Sequence, residues 1–331
     1  MTTALAPTLA RAGRALRDNP LIALVLLLIL LVAVLQALRP GIVNERWIGN
    51  TVKFAIPLAM LAACQTLTML TGGIDLSAGT AATVSAFVVA TQTPLLGPGA
   101  AIAVALLPAI AIGLVNGVGV GLTRVHPLIM TLATGLIATG CLQVYQRGVI
   151  ASGSVVPAAL EWLGTERGWG TDLPVMRFVP NALLLFLPLA ALLLWAQRRT
   201  GFGRLLYAVG ANEGAARLAG VRTWQVTLAL YALSGLLAGL TGLVYVGLIK
   251  APSLSLAEPL LLPAVAAAVI GGTSIFGGRG GYGGTIVGAL ILTVLGTLLT
   301  LLQMPEGARR ILFGLIILAV TTLYLRLTDQ G

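Results

Sequence analysis

Charge is what this sequence lacks most. Of its 331 residues only 9% are Asp, Glu, Lys or Arg, while 58% are hydrophobic; a soluble globular chain is usually about one quarter charged. So few charges cannot furnish the polar shell that keeps a protein of this length dispersed in water, which excludes soluble folds. Cysteine is nearly absent: Cys64 and Cys141 both sit in apolar runs, so there is no disulfide framework and no cysteine-rich metal site. The single histidine, His126, lies just before Pro127 at the start of an apolar run. One imidazole cannot build a metal cluster or a Ser-His-Asp arrangement, and its reading is structural. No G-x-x-x-x-G-K-[ST] phosphate loop occurs, so the chain does not hydrolyse ATP by that route. The inventory leaves a membrane enzyme without an acid, base or nucleophile set. An ion-coupled carrier would place ionisable groups inside its spans, and only Asp75 comes near that position. Net charge is +10, yet the 20 basic residues are scattered between apolar runs with no aromatic-basic cluster. That pattern orients loops across a membrane and argues against a nucleic-acid partner.

What is present is long apolar sequence. Crossing roughly 30 Å of hydrocarbon takes about 20 helical residues. Ten stretches qualify: Leu21–Leu38, Thr51–Leu70, Leu76–Thr91, Gly99–Leu122, Leu128–Tyr145, Asn181–Trp195, Trp224–Ile249, Leu260–Phe276, Thr285–Gln303 and Ile311–Leu325. The fold class expected is therefore an all-α polytopic membrane protein of about ten transmembrane helices, some broken. Residues 1–20 form an N-terminal segment carrying Arg11, Arg14 and Arg17, residues 21–327 a single membrane domain, and 328–331 a tail. The first apolar run exceeds the h-region of a cleavable signal and is read as a retained anchor. An even count with the basic N-terminal flank inside places both termini in the cytoplasm. It also puts 197–223, with Arg198, Arg199, Arg204, Arg217 and Arg222, inside, and 146–180, with Trp162 and Trp169, outside. Those tryptophans either anchor at headgroup level or present a docking surface.

Two Gly-rich breaks share a pattern: GGIDLSAG at 72–79 and GGTSIFGG at 271–278. Either they mark a parallel internal repeat, with a transport path at the interface of the halves, or they coincide by chance in a chain with 41 glycines. Gly72, Gly73, Gly271 and Gly272 are the structural residues of this motif, and Asp75 is expected to cap the helix starting at Leu76. Gln65, Thr68, Asn116, Thr131, Thr134, Gln143 and Ser234 lie within apolar runs. They could bond a neutral polyhydroxyl solute along a path, or bind helix to helix. Between Arg198 and Arg222, Gly210 and Gly220 bracket a short helix, with Asn212 as its cap, Glu213 at the positive end of its dipole, Ala216 within it and Arg217 four residues on. Such a helix seats in a partner's groove or lies on anionic headgroups.

At this segment the sequence resembles the permease subunits of ribose-type sugar ABC importers, which include arabinose, xylose, galactose and autoinducer-2 systems. The resemblance rests on TGGIDLSAGT at 71–80, GLVNGVGVGLTRVHPLIMTLATG at 113–135, RTGFGR and YAVGANEGAARLAGV at 199–221, and IGGTSIFGGRGGYGGTIVGAL at 270–290. It implies a bacterial inner-membrane pore made with a second permease copy or paralogue, ATP-binding subunits below that hold ATP and Mg, and a periplasmic solute-binding protein above. This chain would bind no cofactor, catalyse nothing, and pass a monosaccharide or related polyol. A nucleoside or a stand-alone facilitator are the alternatives. The resemblance makes 210–220 the coupling helix, contacting the ATPase through Asn212, Glu213 and Arg217. Pro263 departs from the family, where many members carry an acid, which affects either solute choice or a helix cap.

Overall fold

The computed structural model describes residues 20–149, 153–170 and 177–305, with a discontinuous set between 307 and 318. The expected N-terminal segment up to residue 19, parts of the expected external loop 146–180, most of Ile311–Leu325 and the tail 328–331 lie outside the described residues. Among the described residues the regular structure is helical, with one isolated antiparallel bridge between Arg167 and Pro180. The long helices are α1 Pro20–Leu38, α2 Glu45–Leu70, α3 Ala78–Leu96, α4 Pro98–Gly121 and α5 Pro127–Val149; α6 Ala158–Thr165 and a turn of 3₁₀ helix at Gly168–Gly170 follow. Then come α7 Leu183–Arg199, α8 Gly201–Ala211, α9 Glu213–Leu218, α10 Thr223–Ile249, α11 Glu258–Ile270 and α12 Tyr282–Leu301.

Nine of the ten expected apolar stretches coincide with helices, but those helices are not equal. Six are long and apolar enough to cross a membrane alone, namely α1, α2, α4, α5, α10 and α12. A seventh arises if α7 and α8, bent by 66° at Thr200, count as one span. Thr200 makes that bend locally: its hydroxyl donates to Ala196 O at 2.6 Å and accepts from Gly203 N at 3.2 Å, ending one helix and starting the next. Two others fall short for physical reasons. Helix α3 carries Thr80, Thr83, Ser85, Thr91, Gln92 and Thr93, and most of it is buried among other helices, so it need not be apolar against lipid. Helix α11 has 13 residues, about 20 Å of rise. Pro263 lies inside it and not at a cap, because the helix starts at Glu258, five residues earlier.

The centre of the bundle is α2, α3, α4 and α10, while α1 leans on α12 with its other faces open. Small residues allow the central approach. A Cβ on Gly113 of α4 would stand 2.2 Å from Tyr231 O, and one on Gly235 of α10 would stand 2.3 Å from Ala109 O. The two ends of the bundle differ. At one, residues 153–170 and 177–181 fold over α2 and α10: Lys250 pairs with Glu161 at 3.5 Å, Arg167 hydrogen-bonds Asn50, and Val155 N donates to Ala90 O in α3. Trp169 belongs to this cap, its amide donating to Asn181 Oδ1 and its indole to Pro180 O, while Trp162 is exposed. At the other end lie both Gly-rich breaks and the segment 197–223.

Candidate functional site

Helices α2 and α11 stop in the same way, 200 residues apart. Gly72 N donates to Met69 O and Gly73 N to Thr68 O; Gly272 N donates to Val269 O and Thr273 N to Ala268 O. Each pair is a Schellman cap, and it needs a left-handed residue, which Gly72 (φ 77°) and Gly272 (φ 87°) supply. The chain then runs 74–77 before α3 and 273–281 before α12.

The first break is held by side chains. Asp75 is buried; its Oδ1 accepts from Ser77 N at 3.0 Å and Ser77 Oγ at 2.6 Å, and its Oδ2 accepts from Ser234 Oγ of α10 at 2.6 Å. Its side chain thus caps the amide of Ser77 rather than opening a helix at Leu76, since α3 starts at Ala78. Gln65 of α2 binds its backbone twice, Nε2 donating to Asp75 O at 2.7 Å and Oε1 accepting from Asp75 N at 3.3 Å. Asn116 of α4 donates to Ser77 Oγ at 2.8 Å and accepts from Thr134 Oγ1 at 2.5 Å. Thr131 of α5 accepts from Leu76 N and donates to Ile74 O.

Five of the seven candidate path residues therefore meet in one buried hub that ties the break to α2, α4, α5 and α10. Thr68 is the sixth, and its hydroxyl serves its own helix, donating to Cys64 O and Gln65 O. In this conformation all six face the interior of the bundle, whereas Gln143 is exposed. An apolar hollow of 410 Å³ between α3, α4 and α5 is walled by Val84, Val88, Pro108, Ile112, Ile137 and Leu142 among others and offers a polar solute almost no partner.

The second break touches the first directly. Gly278 N donates to Leu70 O at 2.9 Å. Gly210, at the end of α8, closes the same junction: a Cβ there would stand 1.8 Å from Leu70 O and 2.6 Å from Gly278 N. Tyr207 of α8 donates to Gly280 O at 2.8 Å, and Gln197 of α7 accepts from Tyr282 N at 3.0 Å. Gly271 packs against α12, where a Cβ would meet Thr285 N at 2.4 Å.

Beyond Gly210 the short helix α9 forms as the sequence indicates. Asn212 Oδ1 accepts from Ala215 N at 2.9 Å, Glu213 pairs with Arg217 at 2.5 Å, Ala216 is buried, and Gly220 (φ 86°) turns the chain into α10. Glu213 also accepts from Thr223 Oγ1. Sequence reasoning missed Leu218, the last residue of α9, which is 93% exposed. An apolar residue within an arginine-rich loop was the available signal. Beside it a groove of 440 Å³ is bordered by Arg124, Arg217 and Arg222. Among the described residues no group of His, Cys, Asp or Glu could hold a metal.

Discontinuous helices around a buried polar hub, with a capped basic segment at one end, define a multi-pass membrane permease. The family model described as branched-chain amino acid transport system / permease component matches residues 47–321, and the chain belongs to that family. It is 34% identical over 298 residues to the ribose import permease protein of Escherichia coli strain K12, covering 88% of this chain and 89% of that one. The ribose import permease protein of Bacillus subtilis strain 168 is 32% identical over 302 residues, covering 89% and 90%. An autoinducer 2 import system permease protein of Escherichia coli strain K12 / DH10B is 31% identical over 300 residues, covering 88% and 84%. No solved structure matches the chain.

Proposed function

We propose that this chain forms the translocation path of a bacterial ABC importer for a monosaccharide or related polyol. The similarity to ribose and autoinducer-2 import permeases along 88% of the chain carries that reading. The chain itself performs no chemistry; ATP and Mg reside on separate ATP-binding subunits, a periplasmic protein delivers the solute, and a second permease copy or paralogue completes the pore. In this reading the protein lies in the inner membrane with about ten crossings and both termini cytoplasmic. The Gly-rich breaks and α9 then face the cytoplasm, and the cap of residues 153–170 and 177–181 faces the periplasm. The equivalent caps at Gly72 and Gly272 support parallel repeats. Helix α9 is the coupling helix, its surface given by Asn212, Glu213, Arg217 and Leu218, with Gly210, Ala216 and Gly220 setting its placement. In this reading Gln65, Thr68, Asn116, Thr131, Thr134 and Ser234 border the path.

Reconstituting the chain in liposomes with its ATPase and binding protein tests this. Solute uptake should need all three components and ATP. Glu213→Ala or Arg217→Ala should lower solute-stimulated ATP hydrolysis while the permease stays folded in detergent. Flux through the chain alone, indifferent to ATP, would make it a facilitator and discard the coupling role of α9.

A further inference from the structure

The segment between α10 and α11 descends into the bundle without helix. It starts at Lys250, whose ammonium pairs with Glu161 of the cap, so its beginning is at the cap end. Leu254 packs with Phe87 and Leu142, and Leu256 with Ala86 and Val89. At Ala257 its amide donates to Thr83 Oγ1 at 3.1 Å. Thr83 adjoins Ala82, whose carbonyl lies against Gly242 of α10, eight residues or about 12 Å of helix before Lys250. The chain has thus travelled well into the thickness of the bundle before α11 begins at Glu258.

Side chains along this descent alternate. Leu254 and Leu256 point into the protomer, whereas Ser253, Ser255 and then Glu258 are exposed on its surface. The Glu258 carboxylate makes no ion pair or side-chain hydrogen bond among the described residues. Non-helical backbone at membrane depth is tolerated where protein buries it or where it borders a water-filled cavity, and an ionisable group there faces water or a partner, not lipid. A glutamate is too short to reach the headgroups from such a depth, unlike a lysine or arginine near a helix end.

We propose that Ser253, Ser255 and Glu258 line the hydrated solute path at the level where α11 begins, presenting hydrogen-bond acceptors to the hydroxyls of a neutral polyhydroxyl solute. The proposal rests on the importer reading and adds to it a path surface distinct from the buried hub. A carboxylate on a surface that also exposes two hydroxyls accepts from sugar hydroxyl groups and repels an anionic solute such as a sugar phosphate.

The test uses the full complex of permease, ATPase and binding protein in vesicles, with Cys141→Ala as background; the remaining native thiol, Cys64, is fully buried. Ser253→Cys, Ser255→Cys and Glu258→Cys are compared with Leu254→Cys, packed inside, and Leu107→Cys, an exposed apolar position of α4. Each is treated with a charged, membrane-impermeant methanethiosulfonate reagent with and without ATP. Labelling of the three path positions in at least one nucleotide state, slowed by saturating solute and accompanied by loss of uptake, is the expected result. Leu254→Cys and Leu107→Cys should stay unlabelled. Should Glu258→Cys fail to assemble, the two serine positions carry the test, since they share the same face. If no path position reacts in any nucleotide state, or if they react only with a lipophilic maleimide, the surface faces lipid or protein and the proposal fails. The importer reading is judged separately by uptake before labelling: ATP-driven uptake with inert cysteines overturns only the path assignment, whereas absence of uptake overturns the reading beneath it.

Discussion

The two Gly-rich breaks end their helices alike and are then held by opposite means. In the first, polar side chains from four helices converge on residues 74–77, and Asp75 accepts three hydrogen bonds. In the second, the backbone does most of the work: Ser274 N donates to Arg279 O, Gly277 N to Ser274 O, and positive φ angles recur at Gly277, Gly278 and Gly280. Thr273 Oγ1 is buried there with no partner among the described residues, and Phe276 is largely exposed. A site fixed by many side chains has one low-energy arrangement, because each donor left alone in a buried setting is costly. One fixed by glycine conformations and a few amide bonds has fewer such penalties when it moves. The difference makes the first break the pinned one and leaves the second, beside Gly210 and Tyr207, freer to move.

Four substitutions break or sharpen that contrast. Asp75→Ala should have the largest effect, stranding Ser77 N, Ser77 Oγ and Ser234 Oγ at a loss of about 3 kcal/mol or more. Thermal unfolding in detergent should show a large drop in midpoint, and an unchanged midpoint would refute the pinned first break. Gly210→Ala comes next, because its methyl meets Leu70 O and Gly278 N at the junction; overpacking costs about 1–3 kcal/mol. Here the expected signature is ATP hydrolysis that no longer responds to loaded binding protein, in a permease that still copurifies with its ATPase. Gly272→Ala isolates backbone conformation, since nothing lies within 4 Å of the added Cβ and only the φ of 87° opposes it. A loss of about 1–2 kcal/mol is expected in the same unfolding assay. Tyr207→Phe is the mildest: it removes the bond to Gly280 O at 2.8 Å, about 0.5–1.5 kcal/mol. It should alter stimulated hydrolysis with little change in midpoint, and a shift as large as that of Asp75→Ala would erase the contrast.

Much of this was legible in the residues. Apolar runs located nine of the helices with ends up to six residues off, because the requirement to bury backbone in lipid leaves helix as the available form for such runs. Asn212, Glu213 and Arg217 were legible too, since a cap and an i,i+4 pair are local and need no tertiary partner. Which way a polar side chain faces was not. Ser234 reaches Asp75 across 159 residues of sequence, and nothing in the surrounding apolar run distinguishes it from a path residue. Nor did the run Leu260–Phe276 disclose that α11 starts within the bundle at Glu258, with exposed serines before it, and stops at Ile270.

By itself, then, the sequence determined a helical membrane protein, the positions of its breaks and the short capped helix in its basic loop, because composition, periodicity and caps act over a few residues. Only the tertiary structure decided that the polar residues of α2, α4, α5 and α10 close on Asp75, that Gly210 joins both breaks, and that Glu258 is left exposed at depth. Those outcomes depend on which helices approach closely and on how far each penetrates, and such distances are set by packing between segments far apart in the chain.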